Sequence, residues 1–274
     1  MPPPGMKPSP KVIAAMTDAR LTNSPRRRPN LALERIQAFL DYRHLSASAR
    51  SPAHLASFTR RYLRHQPLSL ILGWQPFCGL EIRVRRPILS PRMETEYWVS
   101  GLLERFDFSG KRMLEVGTGS GCIALAIARR FPTAHITAID VSRAAIDLSY
   151  QNQRRLGIEN VEFRHESLES HHGHYDAIVS NPPYIPQSRL LPRSVRWYED
   201  RRALYSGHDG LDMIRELLQA RHRLLNSSPG LKLVFEFDGT RLQRRLLKSI
   251  EPNLVFERDQ FRHFRTAILQ TDVY

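Results

Sequence analysis

Residues 112–140 read RMLEVGTGSGCIALAIARRFPTAHITAID, and this stretch decides the fold. It opens with a short apolar run, Arg112 to Val116, of strand length. A turn with Gly117, Gly119 and Gly121 follows, then apolar residues at helical spacing from Gly121 to Phe131, then a second strand from His135 to Ile139. The alternation continues with a helix from Ser142 to Leu156 closed by Gly157, and strands at Val161 to Arg164 and Tyr175 to Ser180. A helix from Leu211 to Leu225, a strand from Leu231 to Phe237 and two late strands near Leu254 and Thr266 complete it. Such alternation predicts an α/β fold, a mostly parallel sheet covered on both faces whose ligands bind at the carboxyl ends of the strands.

Before Arg112 the pattern is different. Leu33, Ile36, Phe39 and Leu40 recur at helical spacing, and so do Leu55, Phe58, Tyr62 and Leu63. Two or three short helices ending before Gly73 are predicted, too few to build a core of their own. Leu80 to Arg85 alternates with period two and reads as one strand of a hairpin. Residues 1–30 carry seven prolines and six Lys/Arg against the single acid Asp18, which predicts a disordered basic leader whose Arg, Ser and scarce acid suit a mitochondrial presequence. The predicted organisation is a leader (1–30), a helical docking region (31–73), a hairpin linker (74–95) and a main domain (96–274).

Composition bounds the function. The 274 residues carry a net charge of +14 and a pI near 10.4, which favours a polyanionic neighbour such as RNA or a ribonucleoprotein. Removing the leader leaves the larger part of that charge, so it is expected to be spread through the body. Two cysteines, Cys78 and Cys122, are too few for a disulfide framework, and no apolar run reaches the length of a membrane span.

The glycine turn is spaced G-x-G-x-G, with Cys122 where a dinucleotide fingerprint requires its third glycine. That spacing fits NAD poorly and S-adenosylmethionine well. Glu115 precedes the turn, Asp140 ends the second strand where an acid accepts ribose hydroxyls, and Glu166 follows the third strand where an acceptor for an adenine amino group is expected. Each acid has a plainer reading as a surface or helix-start carboxylate, but three at successive strand ends beside one glycine turn form a site. After the next strand comes VSNPPYIP, residues 179–186. The Asn181 side-chain oxygen and the Pro182 carbonyl, stiffened by Pro182 and Pro183, are two fixed acceptors for a planar –NH₂ group, and Tyr184 is placed to pack on its flat face. Such a pair aims a delocalised nitrogen at a methyl donor and stabilises the positive charge that grows on it. His171, His172 and His174 include an adjacent pair that cannot share one helical face and have no cysteine partner, so a solvated loop is predicted and no metal. Ser180 and Ser206 have no histidine at an evident triad position.

At these residues the sequence resembles the HemK/PrmC family of protein-(glutamine-N5) methyltransferases that modify peptide-chain release factors. The likeness extends to LILGWQPFCGLEIRVRRPILSPRMETEYWV (70–99) and HDGLDMIRELL (208–218), and covers roughly residues 66–270. The resemblance implies a Rossmann-like class I methyltransferase sheet, with an antiparallel strand near the C-terminus, a small N-terminal helical region and a β-hairpin. It implies S-adenosylmethionine as methyl donor, bound by Glu115, Gly117, Thr118, Gly119, Gly121, Asp140, Glu166 and Asn181. It further implies that Asn181, Pro182, Pro183 and Tyr184 hold the substrate glutamine, that Arg92, Glu94 and Glu96 line the entrance, and that the partner is a release factor. The chain departs from the family pattern at Met93, at Glu199-Asp200 and at Gly239. With the basic charge and leader, the resemblance points to a mitochondrial member, with a cytoplasmic one as the alternative. Methylation of a ribosomal-protein glutamine or of a nucleic-acid base amine, and a catalytically idle ribosome-associated relative, are the other readings that the motif allows.

Overall fold

The computed structural model describes residues 10–23, 31–227 and 229–271. The chain divides into two compact units, one of Met1–Trp74, Arg85–Pro87 and Leu190–Glu199, the other of Gln75–Val84, Ile88–Arg189 and Asp200–Tyr274.

The first unit is helical. Helices α1 (Pro10–Asn23), α2 (Leu31–Ser48), α3 (Pro52–Leu63) and α4 (Leu68–Leu72) follow in order. Ser51 caps α3 by accepting the His54 N–H at 3.2 Å, and Pro52 takes the first helical position, where its missing donor costs nothing. Met16, Tyr42, Leu45, Leu55, Phe58, Tyr62 and Ile71 form a buried apolar cluster. Two expectations fail here. Residues 10–23 are helical, and α1 packs on α2 and α3 with Met16 fully buried, so the predicted disordered leader does not hold over this stretch; residues 1–9 and 24–30 lie outside the described residues. The prolines explain the misreading, because in the described stretch only Pro10 occurs, at the helix start. With α1 added, the helices do build a core. Leu40 and Leu63 are exposed rather than inward, and the side chains of Leu33, Ile36 and Phe39 lie outside the described residues. Inside the cluster Asp41 accepts from Tyr62 Oη (2.5 Å), Gln37 (2.8 Å) and Arg20 (3.0 Å), and burial pushes the Tyr62 phenol well above its ordinary range.

The helical unit holds sixteen Lys/Arg against four Asp/Glu, a net +12, while the other unit holds twenty-five against twenty-three. The charge is therefore concentrated rather than spread. The unit also contains a single helical turn, α8, at Arg193–Arg196. It is followed by Trp197, with the Arg193 guanidinium 5.3 Å from the Trp197 ring. Arg86 donates to the Trp197 carbonyl at 2.8 Å and sits 4.9 Å over the Tyr198 ring.

The second unit begins with a hairpin, β1 (Trp74–Phe77, its first residue in the helical unit) and β2 (Leu80–Arg83), and helix α5 (Met93–Arg105). Then come β3 (Arg112–Val116), α6 (Cys122–Arg130), β4 (His135–Asp140), α7 (Arg143–Leu156), β5 (Val161–His165) and β6 (Ala177–Ser180). It closes with α9 (Asp212–Leu224), β7 (Gly230–Glu236), α10 (Arg241–Ile250), β8 (Val255–Arg258) and β9 (Phe264–Thr271). The seven-stranded sheet has the order β5-β4-β3-β6-β7-β9-β8, parallel except at β9, which runs antiparallel to both neighbours. Chain order reverses between β3 and β6, paired from Met113↔Ala177 to Val116↔Ser180, so the glycine turn and Asn181 leave the sheet side by side at its switch point. One apolar cluster joins α5, α6 and α7 to the sheet, and another joins α9 and α10. Phe77 and Ile82 of the hairpin are fully buried in the first, so the hairpin is part of this unit and not a free linker.

Candidate active site

The residues from Val116 to Ser120 turn out of β3 and back over β4. Gly117 N–H and Thr118 N–H both donate to the Ile139 carbonyl, at 2.9 and 3.0 Å, and Gly119 N–H donates to Asp140 Oδ2 at 2.9 Å. These three donors are spent on holding the turn. Gly121 has φ +82, and a Cβ there would lie 2.9 Å from Ser149 Cβ and 3.1 Å from the Phe163 ring, so only glycine lets α7 and β5 approach. At Gly117 a Cβ would instead enter open space, and Gly117 and Gly119 line a cavity in this unit.

Glu115 stands beneath the turn, 1% exposed. One of its oxygens accepts both the Thr118 hydroxyl (2.6 Å) and the Ala124 N–H at the start of α6 (3.1 Å). Burial pushes its carboxyl up to about 8, against the pull of those two hydrogen bonds. Thr118, expected on the ligand, has its hydroxyl committed to Glu115. Asp140 accepts Gly119 N–H on one oxygen and Ser142 N–H (2.8 Å) on the other, which leaves each oxygen a second acceptor position towards the cavity it lines. Burial raises its pKa and the two backbone hydrogen bonds oppose that rise.

Glu166 lines the same cavity and contacts His171 Nδ1 at 3.0 Å; His171 Nε2 lies 2.8 Å from the Tyr175 hydroxyl. His171 is thus fully buried, contrary to the expected solvated loop, because its ring is stacked on Tyr175 and both nitrogens have partners. Ser180 donates to the Val116 carbonyl and Ser206 accepts the Met213 N–H, so both hydroxyls are structural.

Asn181 leaves β6 with its side-chain Nδ2 donating to Thr95 Oγ1 at 2.9 Å. Thr95 in turn donates to Glu236 Oε2 at 2.6 Å, Trp98 Nε1 donates to the same oxygen at 3.0 Å, and the Tyr184 hydroxyl donates to Glu236 Oε1 at 2.7 Å. Asn181, Pro183, Thr95 and Arg92 line the cavity; Pro182 is buried, and Tyr184 packs on the α9–α10 cluster outside the lining. Burial and the neighbouring Glu236 charge hold the Tyr184 phenol well above its ordinary range. The carbonyl of Tyr184 accepts Gln243 Nε2 at 3.2 Å, and the same nitrogen donates to the Asp209 carbonyl at 2.9 Å. Of the entrance residues only Arg92 lines the cavity. Glu94 is half-buried in the first turn of α5, and Glu96 is drawn away because its Oε1 accepts the Cys78 N–H of the hairpin at 2.7 Å. Asp200 and Arg202, ion-paired at 2.8 Å, line the cavity in their place.

A family model described as Methyltransferase small domain matches residues 95–194. The chain is 37% identical over 212 residues to the release factor glutamine methyltransferase of Geobacter sulfurreducens, covering 75% of this chain and 72% of that protein. It is 35% identical over 234 residues to the protein of that name in Chlorobaculum tepidum, covering 80% and 79%. The chain belongs to the release factor glutamine methyltransferase family. Solved structures share its fold with this family member at lower identity: the hMettl16 catalytic domain in complex with an RNA hairpin has a TM-score of 0.51 at 18% identity, covering 72% of this chain and 77% of that one. A T. thermophilus 16S rRNA methyltransferase in complex with AdoMet and guanosine reaches 0.50 at 15% identity, covering 73% and 50%. The residues of the methyltransferase site that sequence reasoning passed over are Thr95, Trp98, Glu236 and Gln243. Glu236 had a signal, a lone carboxylate in the apolar run Leu231 to Phe237, and Thr95 and Trp98 lie in the quoted stretch 70–99 without standing out in it; Gln243 has none.

Proposed function

We propose that this chain methylates the side-chain amide nitrogen of a glutamine in a peptide-chain release factor, with S-adenosylmethionine as donor. Family membership supports the reaction, and one observation carries the assignment of the site: Asn181 gives its Nδ2 to Thr95, which leaves Oδ1 as the acceptor for a substrate –NH₂ beside the cavity formed by the glycine turn and Asp140. The cavity fits the donor chemically. Its walls include Ile88, Val116, Ile139 and Leu168, Gly117 leaves room where a side chain would intrude, and Asp140 and Glu166 offer acceptors at successive strand ends. In this reading Asp140 takes the ribose hydroxyls and Glu166, braced by His171, the adenine amine, while Glu115 and Thr118 act by holding the turn. Bound S-adenosylmethionine supplies a methyl group on a positively charged sulfur.

The chain's own contribution is orientation. A carboxamide nitrogen is a weak nucleophile because its lone pair is delocalised. Asn181 Oδ1 and the Pro182 carbonyl, as fixed acceptors for its two hydrogens, turn the nitrogen towards the methyl group and stabilise the charge it gains. The excess amide proton then leaves to solvent.

Two finer assignments belong to the same reading. The +12 of the helical unit, with Arg86, Arg193 and Trp197 exposed together, supports docking beside RNA of the translation apparatus. The scarcity of acid in residues 1–30 supports import into mitochondria, with the packed helix α1 kept in the folded chain rather than removed. Among the described residues no helix is long and apolar enough to cross a membrane. The deciding experiment incubates the chain with labelled S-adenosylmethionine and, in parallel, release factors, ribosomal proteins and ribosomal RNA. Label on a release-factor glutamine is expected. Label confined to RNA or to a ribosomal protein would contradict the assignment.

A further inference from the structure

The side chain that ends β7 is the most connected polar group of the site. Glu236 is 1% exposed, and three side chains from two other segments donate into it: Thr95 and Trp98 of α5 to Oε2, and Tyr184 of the loop after β6 to Oε1. Both Glu236 oxygens act as acceptors in these contacts. Thr95 must therefore spend its one hydroxyl proton on Glu236, and its oxygen is left as an acceptor. Asn181 reaches that same oxygen at 2.9 Å. A primary amide presents a donor at one end and an acceptor at the other, so a neighbour that can only accept fixes which end faces it.

From this arrangement we propose that Glu236 is a positioning residue for methyl transfer, acting through Thr95 to hold the Asn181 amide with Nδ2 inward and Oδ1 towards the substrate. The proposal rests on the reading of Asn181 as the substrate-orienting group and adds the residue that orients it. Without Glu236 the Thr95 hydroxyl turns freely, and Asn181 gains access to the flipped state. That state offers –NH₂ to a substrate –NH₂, two donors facing one another. Glu236 also holds Tyr184, so one carboxylate fixes both ends of the Asn181–Tyr184 loop.

The test uses near-isosteric variants of the full chain. Glu236→Gln replaces one acceptor oxygen by a donor, and Thr95→Val keeps the shape of the side chain while removing the hydroxyl; Thr95→Ser restores the hydroxyl alone. Two readouts are taken. The first is exchange of the Asn181 side-chain amide protons with solvent, followed by NMR, which needs no substrate. The second is kcat and KM for a release-factor fragment, with the affinity for S-adenosylmethionine measured alongside. Glu236→Gln and Thr95→Val are expected to lose protection of the Asn181 protons and to lower kcat by on the order of 10²-fold, with cofactor affinity changed far less. Thr95→Ser is expected to keep both. The double variant is expected to be no slower than either single one, because both cut the same path. Undiminished protection in Glu236→Gln, or equal losses in Thr95→Ser and Thr95→Val, would overturn the proposal. Because protection is read in the absence of substrate, it decides this inference even where the release factor proves to be the wrong target. Should Glu236→Gln fail to fold, the two Thr95 variants carry the same contrast.

Discussion

Asp140 and Glu115 are two carboxylates at the ends of adjacent strands, and their surroundings divide their roles. Asp140 keeps acceptor positions on both oxygens open to the cavity, whereas Glu115, which also lines it, is 1% exposed with one oxygen engaged by Thr118 and Ala124. Asp140→Ala should therefore weaken S-adenosylmethionine binding, an effect worth about 1.5–3 kcal/mol for a hydrogen bond to a charged group, measured by calorimetry. Unchanged affinity would place the ribose elsewhere. Glu115 makes a different prediction, on stability. Its folded pKa, pushed from 4.5 up to about 8, means that the native chain keeps a proton that the unfolded chain has released. Its contribution is fully present below about pH 4.5 and is lost as pH rises towards about 8. Relative to Glu115→Gln, the wild type should be best placed at low pH and lose ground across that window, read as the difference in Tm measured without cofactor. A difference independent of pH would show that Glu115 does not hold its proton.

At the level of elements, the sheet was legible because its strands are short apolar runs separated by turn signals. Arg112 to Val116 is predicted and found as β3, and the helix predicted from Ser142 has Ser142 as its cap and left-handed Gly157 as its close. Helix α10 was not legible, since Leu242 is exposed and only Gln243 and Leu247 of its ten residues are buried. Helix α1 was hidden by proline-rich neighbours, although its apolar residues bear on the core. Met16 is fully buried there, and Met16→Ala should cost about 2–5 kcal/mol. Hydrogen exchange should quicken in α1 to α3 and stay unchanged in β3 and β6. Uniform change across the chain, or none, would contradict a separate helical core. Among site residues, Asp140 and Asn181 declare themselves by position at strand ends. Thr95 and Trp98 cannot, because they reach Glu236 from 141 and 138 residues away in the chain.

At the scale of the whole molecule, chemistry and charge are segregated. The sheet unit holds the cavity and is close to neutral, while the helical unit carries +12, fourteen of its sixteen cations being arginine. Arginine's planar fork suits phosphate, and Trp197 beside Arg193 offers a face for a base. Affinity for ribosomal RNA should fall steeply with salt, and the double variant Arg86→Gln/Arg193→Gln should reduce the slope of log K against log salt by about 1 for each phosphate no longer neutralised. A salt-independent affinity would remove RNA from the account. The central claim, that Asn181 orients a release-factor glutamine for methylation, is tested most directly by single-turnover transfer to a release-factor fragment at saturating S-adenosylmethionine. Asn181→Ala should transfer on the order of 10²-fold more slowly than wild type, and Asn181→Asp, which keeps an acceptor, should lie between them, with affinity for the donor changed far less than transfer. Near-wild-type transfer by Asn181→Ala would contradict the account and leave the Asn-Pro-Pro-Tyr loop as no more than the end of a strand.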